Sequence, residues 1–253
     1  MTIKGHTFGA GAPVICVPVV ERTAERIVES IQRMTSEKMD MIEWRMDWYE
    51  DVGNLRAVET LLGRIAPYIE ETVFLCTFRS KKQGGEREIS EEDYLALNQA
   101  AAKTGVPDLI DLEFYQVAEP KKEIAALKRA GAGVVCSNHN FIETPDRSKM
   151  ERQLVEMICA DADFAKLAVM PLAKRDVLRL MEAVLLVKEQ YPDSHVIAMS
   201  MGADGVISRL LGEWFGSEVT FAAFEKASAP GQVGCQAAAE VLGMLEELIE
   251  RNE

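Results

Sequence analysis

The 253-residue chain carries 28 Lys and Arg against 41 Asp and Glu, a formal net charge of −13, and 48% of it is apolar. A surface that acidic repels nucleic acid and anionic lipid, so neither is an expected partner, and no apolar run approaches the ~20 residues needed to cross a bilayer. The stretch from Met1 to His6 lacks the charged-then-apolar layout of a secretory signal, which makes the cytoplasm the expected compartment.

In chain order, residues 1–13, with Gly5, Gly9 and Gly11, read as a short hairpin or lid ahead of the first strand. Short apolar, β-branched runs at 14–19, 39–44, 72–79, 108–113, 133–137, 164–170, 195–201 and 218–223 predict eight strands. Amphipathic stretches at 24–34, 55–69, 91–102, 121–130, 150–159, 175–190 and 207–215 predict the helices between and after them. Ser90 followed by Glu91, Glu92 and Asp93 supplies a helix cap and an acidic first turn. A last helix, 235–249, sets Val241, Leu242, Leu245, Leu248 and Ile249 at helical spacing. Eight β-then-α units predict an α/β fold, a (β/α)8 TIM barrel occupying 1–253 as one domain. A doubly wound open sheet is the rival, but its first turn often carries a Gly-x-Gly-x-x-Gly loop. Here Val19-Val20-Glu21-Arg22-Thr23 contains no glycine.

Cys16, Cys76, Cys136, Cys159 and Cys235 form no Cys-x-x-Cys pair and read as small buried hydrophobes in a reducing compartment. His6, His139 and His195 lie too far apart in sequence for a local metal motif, so no metal is expected.

Catalytic residues of such barrels gather at the carboxyl ends of the strands. There the sequence places Glu43-Trp44-Arg45-Met46-Asp47, Phe78-Arg79, Ser137-Asn138-His139-Asn140, Lys166, and Ala227-Ser228-Ala229-Pro230-Gly231-Gln232. Lys166 is the most informative. Alternation puts Phe164, Lys166, Ala168 and Met170 on one strand face and Leu167 and Val169 on the other. Both faces of a parallel barrel strand are covered, and burial disfavours an ammonium, which suits a nucleophilic amine that forms a Schiff base with a ketone. The plainer alternative is a lysine snorkelling to the barrel mouth or paired with a carboxylate. His139, just past a predicted strand, suits a base that takes and returns a proton, or else a turn histidine bonded to backbone. Arg45 and Arg79 at strand ends suit an anionic or hydroxylated substrate, and Arg209, within a helix, is weaker. The Gly84-Gly85 and Pro230-Gly231 pairs mark tight or mobile loops able to close over a ligand.

Seven motifs in register resemble type I 3-dehydroquinate dehydratase. They are Glu43-Trp44-Arg45-Met46-Asp47, Phe78-Arg79-Ser80 with Gly84-Gly85, Ser137-Asn138-His139, Lys166-Leu167-Ala168-Val169-Met170-Pro171, Met199-Ser200-Met201-Gly202, Ser208-Arg209-Leu210 and Ser228-Ala229-Pro230-Gly231-Gln232. The resemblance implies a homodimeric barrel that dehydrates 3-dehydroquinate to 3-dehydroshikimate in the shikimate pathway, without metal or organic cofactor. Carried over, Lys166 would form the imine at the C3 ketone, and His139 would take the C2 proton and protonate the departing C1 hydroxyl. Arg209 and Gln232 would hold the carboxylate, helped by Ser228, while Glu43, Arg45 and Arg79 would grip ring hydroxyls and orient the site. Two positions depart from the pattern. Gln83 stands where members carry a glutamate that orients the imidazole, so Glu86 or Glu113 would have to supply that charge; Pro18 stands where some have serine. Another Schiff-base barrel, a class I aldolase, is the competing reading. Asp204 in Gly202-Ala203-Asp204-Gly205 discourages the phosphate site such enzymes carry.

Overall fold

The computed structural model describes residues 1–225 and 228–250, so Ala227 of the loop after the last predicted strand and the final three residues of the 1–253 span lie outside it. The apolar runs become β3 (Val14–Val19), β4 (Met41–Arg45), β5 (Val73–Thr77), β6 (Leu109–Glu113), β7 (Gly133–Asn140), β8 (Phe164–Val169), β9 (Val196–Ser200) and β10 (Val219–Phe221). They pair in parallel in the order β10-β3-β4-β5-β6-β7-β8-β9. Between β9 and β10 there is no strand ladder. The seam is bridged instead by the Glu218 N–H donating to Val196 O at 2.9 Å and by the Ser217 hydroxyl. That hydroxyl accepts from Ala198 N–H (2.9 Å) and donates to Ala198 O (3.1 Å). The result is the expected (β/α)8 barrel, nearly closed by its ladders and tied at the last seam by these bonds.

Helices follow the strands: α1 (Ala24–Ser36), α2 (Leu55–Ile65), α3 (Glu91–Lys103), α4 (Pro120–Arg129), α5 (Arg147–Cys159), α6 (Lys174–Gln190), α7 (Val206–Leu210), α8 (Gly212–Phe215) and α9 (Cys235–Glu250). Ser90 caps α3 as the sequence predicts, accepting from Asp93 N–H at 3.1 Å. Several boundaries differ from expectation, three of them for a reason visible in the local structure. The helix predicted to run to residue 69 stops at Ile65, because Pro67 lacks an N–H and restricts Ala66, and the chain continues as a 3-10 turn. The helix predicted at 207–215 breaks at Leu211, where Gly212 passes so close to the Ser217 carbonyl that a Cβ would lie 2.6 Å from it. Strand β7 extends three residues further than predicted, which puts His139 inside the strand, paired in register with Ala168. Among the cysteines, Cys159 at the end of α5 is exposed, unlike the other four.

Two apolar layers result. Outward-facing strand residues such as Ile42, Phe74, Ile110, Leu167 and Val169 pack against the helices. Inward-facing Val14, Met41, Leu75, Leu109, Val135, Phe164, Ile197 and Val219 fill the amino-terminal half of the barrel. The amino-terminal hairpin, β1 (Thr2–Ile3) and β2 (His6–Thr7), caps that same end and is therefore a plug, not a lid over the strand carboxyl ends. Lys4 Nζ bonds Ile69 O (2.8 Å), Thr72 O (3.0 Å) and Asp108 Oδ2 (2.7 Å), all ahead of β5 and β6. The Phe8 ring meets Phe164 edge-on, centroids 5.0 Å apart.

Phe8→Ala removes a buried ring at the end of the barrel remote from the strand carboxyl termini. It should cost roughly 3 kcal/mol in denaturant unfolding while leaving ligand affinity at the other end unchanged.

Candidate active site

Parallel register aligns inward-pointing residues across neighbouring strands, so a polar residue on one strand meets polar residues on the next. Pro18 pairs with Glu43, Arg45 with Thr77, Glu113 with Ser137, and Ser137 with Lys166. Above the apolar plug, the barrel interior therefore changes to a buried polar layer: Glu43, Arg45, Thr77, Arg79, Asp111, Glu113, Ser137 and Lys166. A cavity opens over this layer, with about 490 Å³ of space between its walls, part of it continuous with solvent. Glu43, Arg45, Arg79, His139, Lys166, Arg209, Ser228 and Gln232 all line it, so the structure brings every sequence-predicted site residue together. Pro18 is not among its lining residues.

Arg79 is the centre of the buried layer. Its Nη1 donates to Glu113 Oε1 and to Ser137 Oγ, both at 2.9 Å, and its Nη2 to Asp111 Oδ2 at 2.8 Å. Burial works against its charge, but Asp111 and Glu113 outweigh that and raise its pKa. For Asp111 burial likewise opposes ionisation. Arg79 and then Lys166, with the Ser137 hydroxyl donating at 2.6 Å, hold its carboxyl below the usual carboxylate range. Glu113 also accepts from Ser80 N–H (2.8 Å) and Ser80 Oγ (2.6 Å).

Lys166 points inward from β8 and is buried. Its Nζ lies 3.5 Å from Asp111 Oδ2, 3.7 Å from Glu43 Oε1 and 4.1 Å over the centroid of the Phe221 ring. The amine therefore sits among opposite charges and an aromatic face, not in the purely apolar surroundings that strand burial alone suggests. Thr77 fixes Glu43 by donating to Oε1 at 2.8 Å.

His139 opens on the cavity two residues beyond Lys166 in the strand register. Gln83 Oε1 accepts from the His139 backbone N–H at 2.9 Å and lies 3.0 Å from its Nδ1. The backbone N–H can only donate, so the amide oxygen must face it. Nδ1 then carries the ring proton, and the lone pair is left on Nε2. Burial, followed by the positive charges of Arg79, Lys166 and Arg45, pushes the imidazole well below its ordinary pKa. Neither carboxylate that might have replaced the missing glutamate faces it. Glu86 pairs with Arg22 at the surface (3.2 Å), and Glu113 is taken up by Arg79 and Ser80. Phe141 stacks over the imidazole, centroids 6.4 Å apart, and the same ring leaves no room for a Cβ at Gly84, where one would lie 2.3 Å from it.

Arg209 rises from α7 and is also buried. Its Nη1 donates to Phe221 O and its Nη2 to Pro230 O, each at 3.3 Å, while its Nε has no partner among the described residues. Burial pushes its pKa down to about 10, which still leaves a cation at neutral pH. A buried cation with carbonyl partners and an unused donor suits an incoming carboxylate. Ser228 and Gln232 bond each other: the Ser228 N–H donates to Gln232 Oε1 (2.7 Å) and Gln232 Nε2 to Ser228 Oγ (3.0 Å). Gly231 in this loop, at φ +79°, rests on the Gly202 backbone, where a Cβ would lie 2.2 Å from a carbonyl oxygen.

Sequence reasoning assigned no role to Asp111, Ser137, Asp47 or Phe221. Asp111 and Glu113 did carry a signal, two carboxylates at alternate positions within an apolar strand, the same anomaly that marks Lys166.

The sequence profile of the family described as Type I 3-dehydroquinase matches residues 15–249. Curated relatives include the 3-dehydroquinate dehydratase of Listeria welshimeri, 44% identical over 97% of each chain, and that of Clostridium botulinum, 41% identical over 98% of each. Among solved structures, the type I 3-dehydroquinate dehydratase of Clostridium difficile with covalently modified comenic acid superposes with a TM-score of 0.94 at 38% identity, covering 98% of both chains. The Enterococcus faecalis 3-dehydroquinate dehydratase gives 0.89 at 34% identity, covering 96% of this chain and 98% of that one.

Nitrogen-resolved NMR should find His139 neutral and protonated at Nδ1 on titration down through pH 6. Gln83→Glu should raise its titration midpoint, since a carboxylate at this distance favours the imidazolium. An unchanged midpoint would show that residue 83 does not set the charge on the ring.

Proposed function

The chain belongs to the type I 3-dehydroquinase family, and from that premise we propose that Lys166 and His139 carry the family's reaction here. That reaction is a lyase step of the shikimate pathway, the dehydration of 3-dehydroquinate to 3-dehydroshikimate through a lysine Schiff base. One observation supports the assignment above the others. A buried amine and a neutral imidazole with its lone pair on Nε2 lie two residues apart in register on neighbouring strands and line one cavity.

Lys166 Nζ adds to the C3 carbonyl carbon. The carbonyl oxygen leaves as water with two of the ammonium protons, and the third stays on the iminium. That charge acidifies C2, whose proton passes to His139 Nε2 while the C–H electrons flow to nitrogen as an enamine. The enamine then expels the C1 hydroxyl, which takes the proton back from His139 and departs as water. A water molecule hydrolyses the conjugated iminium and returns the amine, so one water is lost overall.

Arg209 takes the substrate carboxylate with Gln232, and Ser228 helps once the pair exchanges its mutual hydrogen bonds for the ligand. Glu43 and Arg45 reach ring hydroxyls. Arg79 directs most of its donors to Asp111, Glu113 and Ser137, so orienting the site is its larger share. The chain works as a single barrel domain, a reading supported by the profile match across residues 15–249. Homodimer formation follows the family's habit and is supported by Leu178 and Leu185, exposed seven residues apart on α6. Cytoplasmic residence agrees with the absence, among the described residues, of a helix long and apolar enough to cross a membrane.

Borohydride added with 3-dehydroquinate should reduce the imine and leave a substrate-derived mass on the Lys166 peptide; an adduct on another lysine would overturn the assignment. In His139→Ala the adduct should still form while kcat falls by about 10²–10⁴, the usual worth of general acid–base catalysis. Arg209→Met should raise KM by tenfold or more, roughly the value of a charge-assisted hydrogen bond pair, in steady-state assays that follow the conjugated product by ultraviolet absorbance.

A further inference from the structure

Asp47 is fully buried two residues beyond Arg45 and accepts four hydrogen bonds. Arg45 grips it bidentately, Nε to Oδ1 at 2.8 Å and Nη2 to Oδ2 at 2.7 Å. The other two donors are backbone groups of the β5–α3 connection: Arg79 N–H to Oδ1 at 3.3 Å and Glu86 N–H to Oδ2 at 3.0 Å. One carboxylate therefore fastens a cavity-lining guanidinium and both ends of one turn.

That turn is stiff between its fastened ends. Gln83 N–H and Gly85 N–H both donate to Ser80 O at 2.9 Å, and Lys81 N–H donates to Arg87 O at 2.9 Å. Gly85 packs so tightly on Arg79 that a Cβ would lie 1.8 Å from its carbonyl oxygen. In the middle sits Gln83, whose side-chain oxygen holds both the backbone and the ring of His139. The geometry points to Asp47 as the positioning residue that links substrate grip at Arg45 to acid–base geometry at His139. This rests on the assignment of His139 as the acid–base group.

The physical basis is the number of acceptor sites. An aspartate presents two equivalent oxygens, and here each serves one guanidinium donor and one backbone N–H. An asparagine of the same shape offers one oxygen and turns an N–H₂ toward one guanidinium donor and one backbone N–H, so Arg45 and one end of the turn both lose an acceptor. Releasing the turn lets Gln83 drift from His139 and frees the ring to rotate or change tautomer. Releasing Arg45 weakens binding of substrate without touching the proton transfer. The two consequences fall on different kinetic constants.

The test is a double-mutant cycle of Asp47→Asn with Gln83→Ala, read in kcat and KM separately, with the Lys166 borohydride adduct measured in all four proteins. Asp47→Asn alone should raise KM and lower kcat, each by about tenfold, the worth of one charge-assisted hydrogen bond. Gln83→Ala alone should lower kcat. In the double variant kcat should be no lower than in Gln83→Ala, because the route from Asp47 to His139 is already cut, while the rise in KM persists. Multiplying kcat losses, or an Asp47→Asn protein with unchanged KM, would overturn the positioning role. If Asp47→Asn does not fold, the cycle is run with Asp47→Glu, which keeps the charge and displaces both contacts by one methylene; an unaltered kcat there overturns it equally. An adduct on Lys166 in the parent protein with multiplying kcat losses removes only the role of Asp47. Absence of that adduct removes the Schiff-base assignment and this inference with it.

Discussion

Arg79 buried between Asp111 and Glu113 is the interaction on which the site depends. Three cations, Arg45, Arg79 and Lys166, share the barrel's upper interior with four carboxylates, Glu43, Asp47, Asp111 and Glu113. Stranding one partner of such a buried pair costs about 3–5 kcal/mol, so each charge constrains where the next can stand. Arg79 pins Asp111, Asp111 turns its Oδ2 toward Lys166, and Glu113 holds Ser80 at the start of the turn that carries Gln83. Through these links one guanidinium bears on both the amine and the imidazole.

The same positive charges decide what His139 can be. With Arg79, Lys166 and Arg45 nearby and the ring largely desolvated, the imidazole stays neutral and Gln83 fixes which nitrogen holds its proton. A neutral ring with a free lone pair is ready to accept a proton, and the cost appears in stability. The unfolded chain's imidazole binds a proton below about pH 6.5, while the native ring does not. Stability from this group therefore declines as the pH falls below that value, until it passes the native ring's own lower pKa. The amide accepts a hydrogen bond from Nδ1–H without adding a charge, so an imidazolium at this position is relieved by transfer of its proton onward.

The division of the barrel along its axis keeps these demands apart. Apolar side chains and the Phe8 plug fill the amino-terminal half, where Lys4 closes the floor through Asp108 and two carbonyls. The carboxyl-terminal half holds the buried charges and the turn at residues 79–87, and the loop carrying Ser228 and Gln232 lies against the Gly202 backbone above it. Sheet register ties the two halves together, because the alternation that turns Phe164 into the lower core turns Lys166 into the polar layer on the same strand.

The sequence by itself determined the barrel and which polar side chains its cavity would gather. Hydrophobic period and strand spacing are local properties, and a lysine in an apolar strand is an anomaly wherever the strand goes. The pair Asp111 and Glu113 was legible by the same rule. Tertiary structure alone decided what surrounds each group. Strand β7 runs on through His139 because β8 offers it partners as far as Val169, a fact of pairing and not of propensity. The glycine-rich start became a plug because its contacts, Asp108, Thr72 and Phe164, converge only when the barrel closes. Asp47 gained its place because one carboxylate meets donors from positions 45, 79 and 86, a convergence produced by folding and unreadable from any one segment.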